Sequence, residues 1–384
     1  MRAIAAKQAE SIDEFMRLSN EAPSGRVGRV VIVSDSVPER NGVGAYYQDL
    51  VDQLAEQCDQ VGFLCPDGRS GFLKIPLPGD PTQKIWIPSY RRFAKMMRKM
   101  QPECIIAATP GPYGLMGCHW ARRLKIPFVV GFHTHYSGVT DQYNNRFLRA
   151  FSRFYFNCAD WVMFRYADLV LGNSEAMVEL ALSLGAKRAE VMGTLLPVTS
   201  LNKPVVPARE VLGNVIFAGR LAPEKRVHWI VEAAEALPDI GFTIAGDGPL
   251  ADDVRAASDR LPNLTWLGWV SRSQLLDAMD AADMLVLPSV VESFGTVALE
   301  AMARQRLVLV TPTCGIVEWP DLARELFVLG DGESVADGIR RIAALPAGER
   351  QAMARNACEA ARTLNANSVK HWLSLLETDE SNDR

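Results

Sequence analysis

Two glutamates eight positions apart are the residues of this sequence best suited to act on a ligand. Glu292 and Glu300 lie within residues 285–303, LVLPSVVESFGTVALEAMA. The apolar run at the start of this stretch predicts a buried parallel strand, and Gly295-Thr296 opens a predicted helix with regularly spaced apolar residues. Glu292 therefore lies just before a helix N-terminus, and Glu300 lies about one turn inside the helix.

A helix N-terminus offers unpaired backbone N–H groups and the positive end of the helix dipole, which together favour a phosphate. Two carboxylates beside such a site would repel the phosphate, so they are better placed to hydrogen-bond hydroxyl groups next to it. A ligand with central phosphates and a hydroxyl-rich ring at each end is a nucleotide sugar. The alternative interpretation is a capped amphipathic helix with two solvated acids.

The run Glu292-Ser-Phe-Gly295, followed by Glu300-Ala-Met-Ala, resembles the E-x7-E signature of retaining GT-B glycosyltransferases of family 4. The resemblance implies that Glu292 contacts the donor sugar in catalysis and that Glu300 contacts the ribose. It also implies donor binding by the loop between them, which contains Phe294, Gly295 and Thr296.

Composition limits the classes of protein that remain. At 384 residues the chain suits two domains, and its formal net charge of -4 argues against a nucleic-acid partner. The seven cysteines are scattered without a C-x-x-C pair, which indicates reduced thiols in the cytoplasm rather than disulfides or a zinc site. No apolar run reaches the ~18 residues of a membrane span, and the N-terminus lacks a signal-peptide core.

Short apolar runs alternate with helical patterns along the chain, which predicts parallel sheets covered by helices. The expected fold is α/β and, as the resemblance implies, GT-B, with two doubly wound Rossmann-like domains facing across a cleft. In the family a terminal helix, often with a tryptophan, crosses back to the first domain. Trp372 would be that tryptophan here. We place an appended helix at residues 1–25, an acceptor-side domain at 26–195, a linker at 196–209, a nucleotide-sugar-binding domain at 210–360, and the terminal helix with a frayed tail at 361–384.

Two loops of the first domain carry candidate site residues after predicted strands. The run Asn41-Gly42-Val43 resembles the family loop whose glycine backbone meets the donor diphosphate, which implies that role for Gly42. The run Phe132-His133-Thr134 resembles the catalytic-loop histidine of the family, which implies that His133, rather than His135, lies by the donor sugar. The alternative is a histidine whose ring is satisfied by backbone carbonyls.

Arg220 and Lys225 follow the first predicted strand of the second domain, where a helix is predicted to start near Pro223. Two cations beside a helix N-terminus form a strong anion site, because charge-assisted hydrogen bonds are about twice as strong as neutral ones. The run resembles the family's G-R-L-x-x-x-K phosphate pair. Gly246 opens a turn similar to the family's G-x-G-P-L loop, which implies a place at the donor. Residues 304–307, Arg-Gln-Arg-Leu, depart from the family's usual Gly-x-Pro turn.

The sequence contains no D-x-D pair of the kind that often holds a metal, so we expect neither a metal nor a cofactor. Arg220, Lys225 and the helix N-terminus would then stabilise the leaving diphosphate of a UDP- or GDP-hexose. The resemblance implies retention of configuration by front-face attack, with the leaving phosphate taking the acceptor proton. A nucleotide-sugar 2-epimerase would lack the paired glutamates, and a phosphorylase needs a pyridoxal site that is not found. A non-catalytic nucleotide-sugar binder is the alternative from another class.

A basic amphipathic pattern at residues 89–100 bears on the acceptor. Five cations lie opposite a side with Tyr90, Phe93 and three methionines, in an otherwise acidic chain, which favours a helix on anionic lipid. Residues 146–166 are rich in aromatic residues and arginines. The first domain also resembles the lipid-directed sulfoquinovosyl- and mannosyl-transferase branch, which implies a lipid acceptor such as diacylglycerol and a peripheral location on the cytoplasmic face of the inner membrane. Alternatively, both helices pack on the sheet and the acceptor is soluble or a polysaccharide.

Overall fold

A computed structural model of the chain describes residues 27–36, 42–66, 74–77, 80–133, 146–290 and 292–376. The helix expected over residues 1–25 and the tail after residue 376 lie outside the described residues. The chain divides into two compact units, Met1–Leu195 with Asn367–Arg384 and Leu196–Ala366. Each unit has its own sheet and its own hydrophobic core.

The first unit is built on a six-stranded parallel sheet. The strands of this unit are β1 (Val27–Val33), β2 (Cys58–Leu64), β3 (Lys74–Leu77), β4 (Asp80–Trp86), β5 (Cys104–Ala107), β6 (Phe128–Phe132), β7 (Leu169–Gly172) and β8 (Ala189–Val191). The sheet order is β2-β1-β5-β6-β7-β8, while β3 and β4 form a separate antiparallel pair. Residues 30–33 of β1 are all buried, as expected of a strand covered on both faces.

Helices cover both faces of this sheet. They are α1 (Gly42–Leu54), α2 (Tyr90–Met100), α3 (Pro112–Leu124), α4 (Arg146–Tyr166) and α5 (Glu175–Ser183). Successive residues of β1 point to opposite faces, so Val31 packs with α2, α3 and α4, whereas Ile32 packs with α1. Trp372, near the end of the terminal helix Ala347–Leu376, is fully buried in the cluster that contains Ile32.

Helix α2 matches the basic amphipathic pattern, but its apolar side belongs to the protein core. Phe93, Met97 and Met100 are buried against the sheet. The alternative of a helix packed on the sheet is therefore correct for the apolar side of α2, and the side chains that this helix exposes are Tyr90, Arg91, Lys95, Arg98 and Lys99. In the described part of the chain, no helix combines the length and apolar character needed to span a bilayer.

The second unit has a six-stranded sheet whose neighbouring strands are also parallel. Its strands are β9 (Asn214–Ala218), β10 (Gly241–Ala245), β11 (Leu264–Gly268), β12 (Met284–Leu287), β13 (Leu307–Val310) and β14 (Phe327–Val328). Its helices are α6 (Val198–Asn202), α7 (Val227–Ala236), α8 (Ala251–Arg260), α9 (Arg272–Ala281), α10 (Thr296–Ala303), α11 (Pro320–Ala323), α12 (Val335–Ala343) and the first part of α13 (Ala347–Leu376). The sheet order is β11-β10-β9-β12-β13-β14, so the winding direction reverses between β9 and β12.

The helix predicted to begin near Pro223 begins later. Pro223–Lys225 forms a single 3-10 turn, and Arg226 adopts a left-handed conformation with a φ of 48°. That residue interrupts the helical path, so α7 starts at Val227. Lys225 consequently lies in a tight turn rather than in the first turn of an α-helix.

The family's Gly-x-Pro turn is replaced here by two fully buried arginines, Arg304 and Arg306. Both oxygens of the Asp280 carboxylate accept hydrogen bonds from Arg304, at 2.8 and 2.9 Å. The other N–H groups of the two arginines donate mainly to carbonyl oxygens, including those of Ser200, Lys203, Pro204, Val206 and Ala282. The segment expected to be a linker is thus fixed to the second unit by buried, charge-assisted hydrogen bonds.

Replacing Asp280 with alanine should lower the free energy of unfolding of the second unit by about 3–5 kcal/mol, because it leaves the Arg304 guanidinium buried without its carboxylate. Urea denaturation followed by tryptophan fluorescence measures the loss. Lys203→Gln is the matched control, since Lys203 also contacts Asp280 at 2.8 Å but its side chain is 34% exposed. The control should cost less than about 1 kcal/mol. Equal losses in the two variants would contradict the importance of the buried pair.

Candidate active site

An open pocket of about 200 Å³ lies at the point where the second sheet reverses its winding. In doubly wound sheets, ligands bind at this point, beyond the carboxyl ends of the strands. The pocket is lined by Ala218, Gly219, Arg220, Lys225, Leu287, Glu292, Gly295, Thr296 and Val297. Five of these residues are site residues expected from the sequence, so the structure brings the two cations, one carboxylate and the helix start together.

Lys225 and Glu292 form an ion pair at this pocket, between the Nζ and Oε2 atoms. Their side chains are 18% and 20% exposed, so the pair is partly shielded from water. The two loops are also joined by the backbone, because the N–H of Val290 donates to the carbonyl oxygen of Glu224 at 2.7 Å. Charges held in a partly buried position interact more strongly than the same charges in water.

Helix α10 begins at the pocket. Thr296 and Val297, in its first turn, line the pocket, so the positive end of the helix dipole lies beside the two cations. Gly295 precedes the helix with a φ of 91°, and a Cβ atom there would lie 2.9 Å from the Sγ atom of Cys314. Only glycine fits this position without strain. The arrangement can bind an anion at the helix start.

Three expected donor residues of the second unit lie behind or beside the pocket. Glu300 lies further along α10, where Arg272 Nη2 is 3.9 Å from its Oε1 atom. The Phe294 ring is 7% exposed and packs edge-on against Trp319 at 5.7 Å, so it supports the loop from the core side. Gly246 lies under the loop after β9, where a Cβ atom would be 1.9 Å from the carbonyl oxygen of Gly219.

His133 follows β6 in the first unit, and hydrogen bonds hold both its ring and its backbone. Its Nε2 atom is 3.1 Å from the hydroxyl oxygen of Tyr47, and its carbonyl oxygen accepts a hydrogen bond from Asn173 Nδ2 at 3.1 Å. Burial lowers the pKa of His133 to about 4, so the imidazole is neutral at neutral pH. Gly42, the other candidate of this unit, is the exposed first residue of α1. Residues 37–41 before it lie outside the described residues.

No motif in the sequence predicts the tyrosine pair that contacts His133. Tyr46 and Tyr47 contact its ring edge-on, with centroids at 5.6 and 5.3 Å. Trp372 Nε1 donates to the Tyr46 hydroxyl at 2.8 Å, and that hydroxyl donates to the carbonyl oxygen of Gly193 at 2.8 Å. One signal was present in the sequence, namely Gly131 within β6, because a lone glycine in a strand often marks a place where another group packs closely on the backbone. A Cβ atom at Gly131 would lie 1.8 Å from the Tyr47 hydroxyl.

Asp35, which follows β1 in the first unit, is an acid that was not singled out from the sequence. Its carboxylate accepts hydrogen bonds from Thr109 Oγ1 at 2.7 Å and from the backbone N–H of Tyr113 at 2.8 Å. Burial raises the pKa of Asp35 to about 6, although these hydrogen bonds act in the opposite direction. The carboxylate therefore fixes the loop between β5 and α3.

Two family models match this chain in succession. Residues 40–193 match Glycosyltransferase Family 4, and residues 213–344 match Glycosyl transferases group 1. The chain belongs to glycosyltransferase family 4. The family predicted from the two glutamates is thereby confirmed.

Relatives of this family 4 protein include two with named activities. The GDP-mannose-dependent alpha-mannosyltransferase of Mycolicibacterium smegmatis is 28% identical over 305 residues, which cover 72% of this chain and 77% of the relative. Sulfoquinovosyl transferase SQD2 of Arabidopsis thaliana is 26% identical over 297 residues. The match covers 71% of this chain but 56% of that relative, so the chain spans little more than half of its length.

A solved structure of HepE from Anabaena, in complex with UDP and glucose, has a TM-score of 0.63 with this chain. The identity is 17%, and the match covers 90% of this chain and 100% of that one. Structural similarity at 17% sequence identity is evidence about the fold alone. The fold is GT-B, as predicted from the sequence.

Replacing Tyr47 with phenylalanine tests the role of His133 in this family 4 enzyme. We expect kcat to fall about five- to tenfold, because one hydrogen bond to the imidazole is lost while the ring packing stays. The donor KM and the melting temperature should change little. Steady-state kinetics and thermal unfolding measure these quantities.

Tyr46→Phe is the matched control, because it removes a neighbouring hydroxyl that bonds Trp372 and Gly193 instead of His133. That variant should lower the melting temperature and leave kcat nearly unchanged. An unchanged kcat in Tyr47→Phe would contradict a positioned His133.

Proposed function

We propose that this enzyme transfers a hexosyl group from a nucleotide sugar to a hydroxyl acceptor with retention of configuration. The observation that carries the proposal is the pocket at the strand reversal, which holds two cations, a carboxylate and a helix start. Cations and a helix start suit a diphosphate, and a carboxylate suits sugar hydroxyls. A pocket that binds phosphate alone would not need the Glu292 carboxylate, because the two negative charges repel each other.

In this proposal, Arg220 and Lys225 bind the diphosphate, Glu292 orients the hexose, and Glu300 binds the ribose. The donor is a UDP- or GDP-hexose. Two comparisons support these nucleotides: the HepE structure contains UDP and glucose, and the mycobacterial relative is described as GDP-mannose-dependent. The first-unit residues Gly42 and His133 are proposed to act on the diphosphate and on the hexose, respectively, as the family resemblance implies.

The leaving diphosphate needs its growing charge stabilised, and we propose that Arg220, Lys225 and the start of α10 supply this without a metal. Preorganised cations and helix dipoles aimed at a developing charge are typically the largest contribution to such catalysis. No protein nucleophile is needed, since the leaving phosphate can take the proton of the acceptor hydroxyl. A neutral His133 suits this scheme, because it can hydrogen-bond the hexose without adding a charge.

The acceptor is proposed to be a membrane lipid such as diacylglycerol, reached at the cytoplasmic face of the inner membrane. Support comes from the outer side of α2, α3 and α4, which are all packed on one face of the first sheet. The one acidic residue within these three helices, Asp160, is buried. Phe154 and Trp161 of α4 are 68% and 62% exposed, which suits the interface of a bilayer. A soluble or polysaccharide acceptor is the alternative.

Incubating the enzyme with radiolabelled nucleotide sugars and a total lipid extract, in excess chelator, tests the proposed reaction. We expect label from one donor to enter the organic phase, with the anomeric configuration of the donor retained in the product. Lys225→Ala and Arg220→Ala should lose both diphosphate binding and turnover, because each removes a charge from the anion site.

Several outcomes would contradict parts of this proposal. Activity that requires added magnesium or manganese would refute the metal-free scheme, and label that stays with water-soluble acceptors would refute the lipid. The absence of both transfer and slow donor hydrolysis would favour a non-catalytic binder. Full activity in both alanine variants would refute the donor site.

Membrane binding should be peripheral and salt-sensitive, because each cation near an anionic surface contributes about 1 kcal/mol and is screened by salt. Co-sedimentation with anionic liposomes measures it. The test variant replaces the cations of α2 with glutamine at Arg91, Arg92, Lys95, Arg98 and Lys99. The control replaces five arginines of the second unit, Arg255, Arg260, Arg324, Arg340 and Arg341. We expect binding to be lost in the first variant only, and equal binding of the two variants would contradict the proposed surface.

A further inference from the structure

One of the two cations proposed to bind the donor diphosphate, Lys225, already forms an ion pair. Lys225 Nζ contacts the Glu292 carboxylate, and both side chains belong to the pocket. Arg220 lines the same pocket and, within the described residues, takes part in no ion pair of this kind. A phosphate that enters the site therefore competes with Glu292 for Lys225, but it meets no such competition at Arg220.

The backbone holds the two charges in place. The N–H of Lys225 donates to the carbonyl oxygen of Ala222 at 2.9 Å, within the 3-10 turn. On the other side, the carbonyl oxygen of Glu292 accepts a hydrogen bond from the N–H of Gly315 at 2.9 Å. Because both loops are tied down by backbone hydrogen bonds, the backbone of Glu292 stays at the pocket when a ligand displaces its side chain from Lys225. Its carboxylate then remains within reach of the phosphate.

We propose that Glu292 is a specificity-determining residue that makes the site prefer a nucleotide sugar over a free nucleoside diphosphate. This inference rests on the proposed function and extends it from the substrate to the product. A nucleotide sugar gives Lys225 a phosphate and offers the displaced Glu292 the hydroxyls of the hexose. A nucleoside diphosphate gives Lys225 the same phosphate, but it leaves Glu292 beside an anion without a hydrogen-bond donor.

The consequence concerns product release. After transfer the hexose has left, so Glu292 loses its hydroxyl partners and regains its attraction to Lys225. Re-forming the ion pair weakens the hold on the diphosphate and favours its departure. Glu292 thereby lowers inhibition by the product, in addition to its proposed role in orienting the hexose.

Glu292→Gln is the direct test, because glutamine keeps the size of the side chain and removes the charge. Isothermal titration with UDP, GDP, ADP and TDP identifies the diphosphate that binds the wild-type protein. We expect that diphosphate to bind Glu292→Gln about tenfold more tightly, since Lys225 no longer has to leave a partner; a tenfold change corresponds to about 1.4 kcal/mol. The matching nucleotide sugar should bind the variant no more tightly than the wild type.

Glu224→Gln is the matched control, since it removes an exposed charge next to Lys225 from a residue that does not line the pocket. It should leave diphosphate affinity unchanged. A similar gain in both variants would show a general effect of charge and overturn the inference. Equal diphosphate affinity in wild type and Glu292→Gln would overturn the inference and leave the donor site standing. Failure of the wild type and the variant to bind any of the four diphosphates would refute the proposed function along with it.

Discussion

The reversal of strand order between β9 and β12 leaves a gap at the carboxyl edge of the second sheet, because the chain crosses over to opposite sides from this point. The loops after these two strands must border the gap. One loop contributes Arg220 and Lys225, and the other contributes Glu292 and the start of α10. The topology thus fixes where these side chains meet, and their charges decide what the gap can bind. A change that moved either loop would separate the cations from the carboxylate.

Residues of this pocket could be predicted from sequence because each lies within a few positions of a strand end or a helix start. Gly295 is recognisable because a glycine at a helix start signals a conformation that other residues avoid. The position of Lys225 relative to a helix was wrong, since the left-handed Arg226 that delays α7 has no signal of its own. Phe294 illustrates a further limit: a pattern shows that a loop is special, but it does not show which of its side chains turn toward the core.

Contacts between distant parts of the chain could not be predicted in this way. Tyr47 meets His133 across 86 positions. The family resemblance placed Trp372 on the first domain, but no local signal marks Tyr46, 326 positions away, as its partner. Arg304 and Arg306 look like a solvated pair in the sequence, yet both are fully buried because carbonyl oxygens from the preceding segment accept their N–H groups. Helix α2 is ambiguous for another reason. An apolar stripe has the same period whether a sheet or a bilayer covers it, so only the structure distinguishes the two.

Two titratable groups of the first unit, His133 and Asp35, have opposite effects on its stability in acid. The folded-state pKa of His133, about 4, lies below the ordinary histidine value of 6.5, so the unfolded chain binds a proton first and stability falls as the pH drops from about 6.5 to about 4. The folded-state pKa of Asp35, about 6, lies above the ordinary aspartate value of 3.8, so the folded chain holds the extra proton and stability rises as the pH drops from about 6 toward 3.8. The two contributions offset each other over most of this range. His133 can therefore stay neutral, as a hydrogen-bonding role requires. Because Asp35 offsets its effect, the two groups together do not make the stability of the first unit markedly sensitive to mild acid.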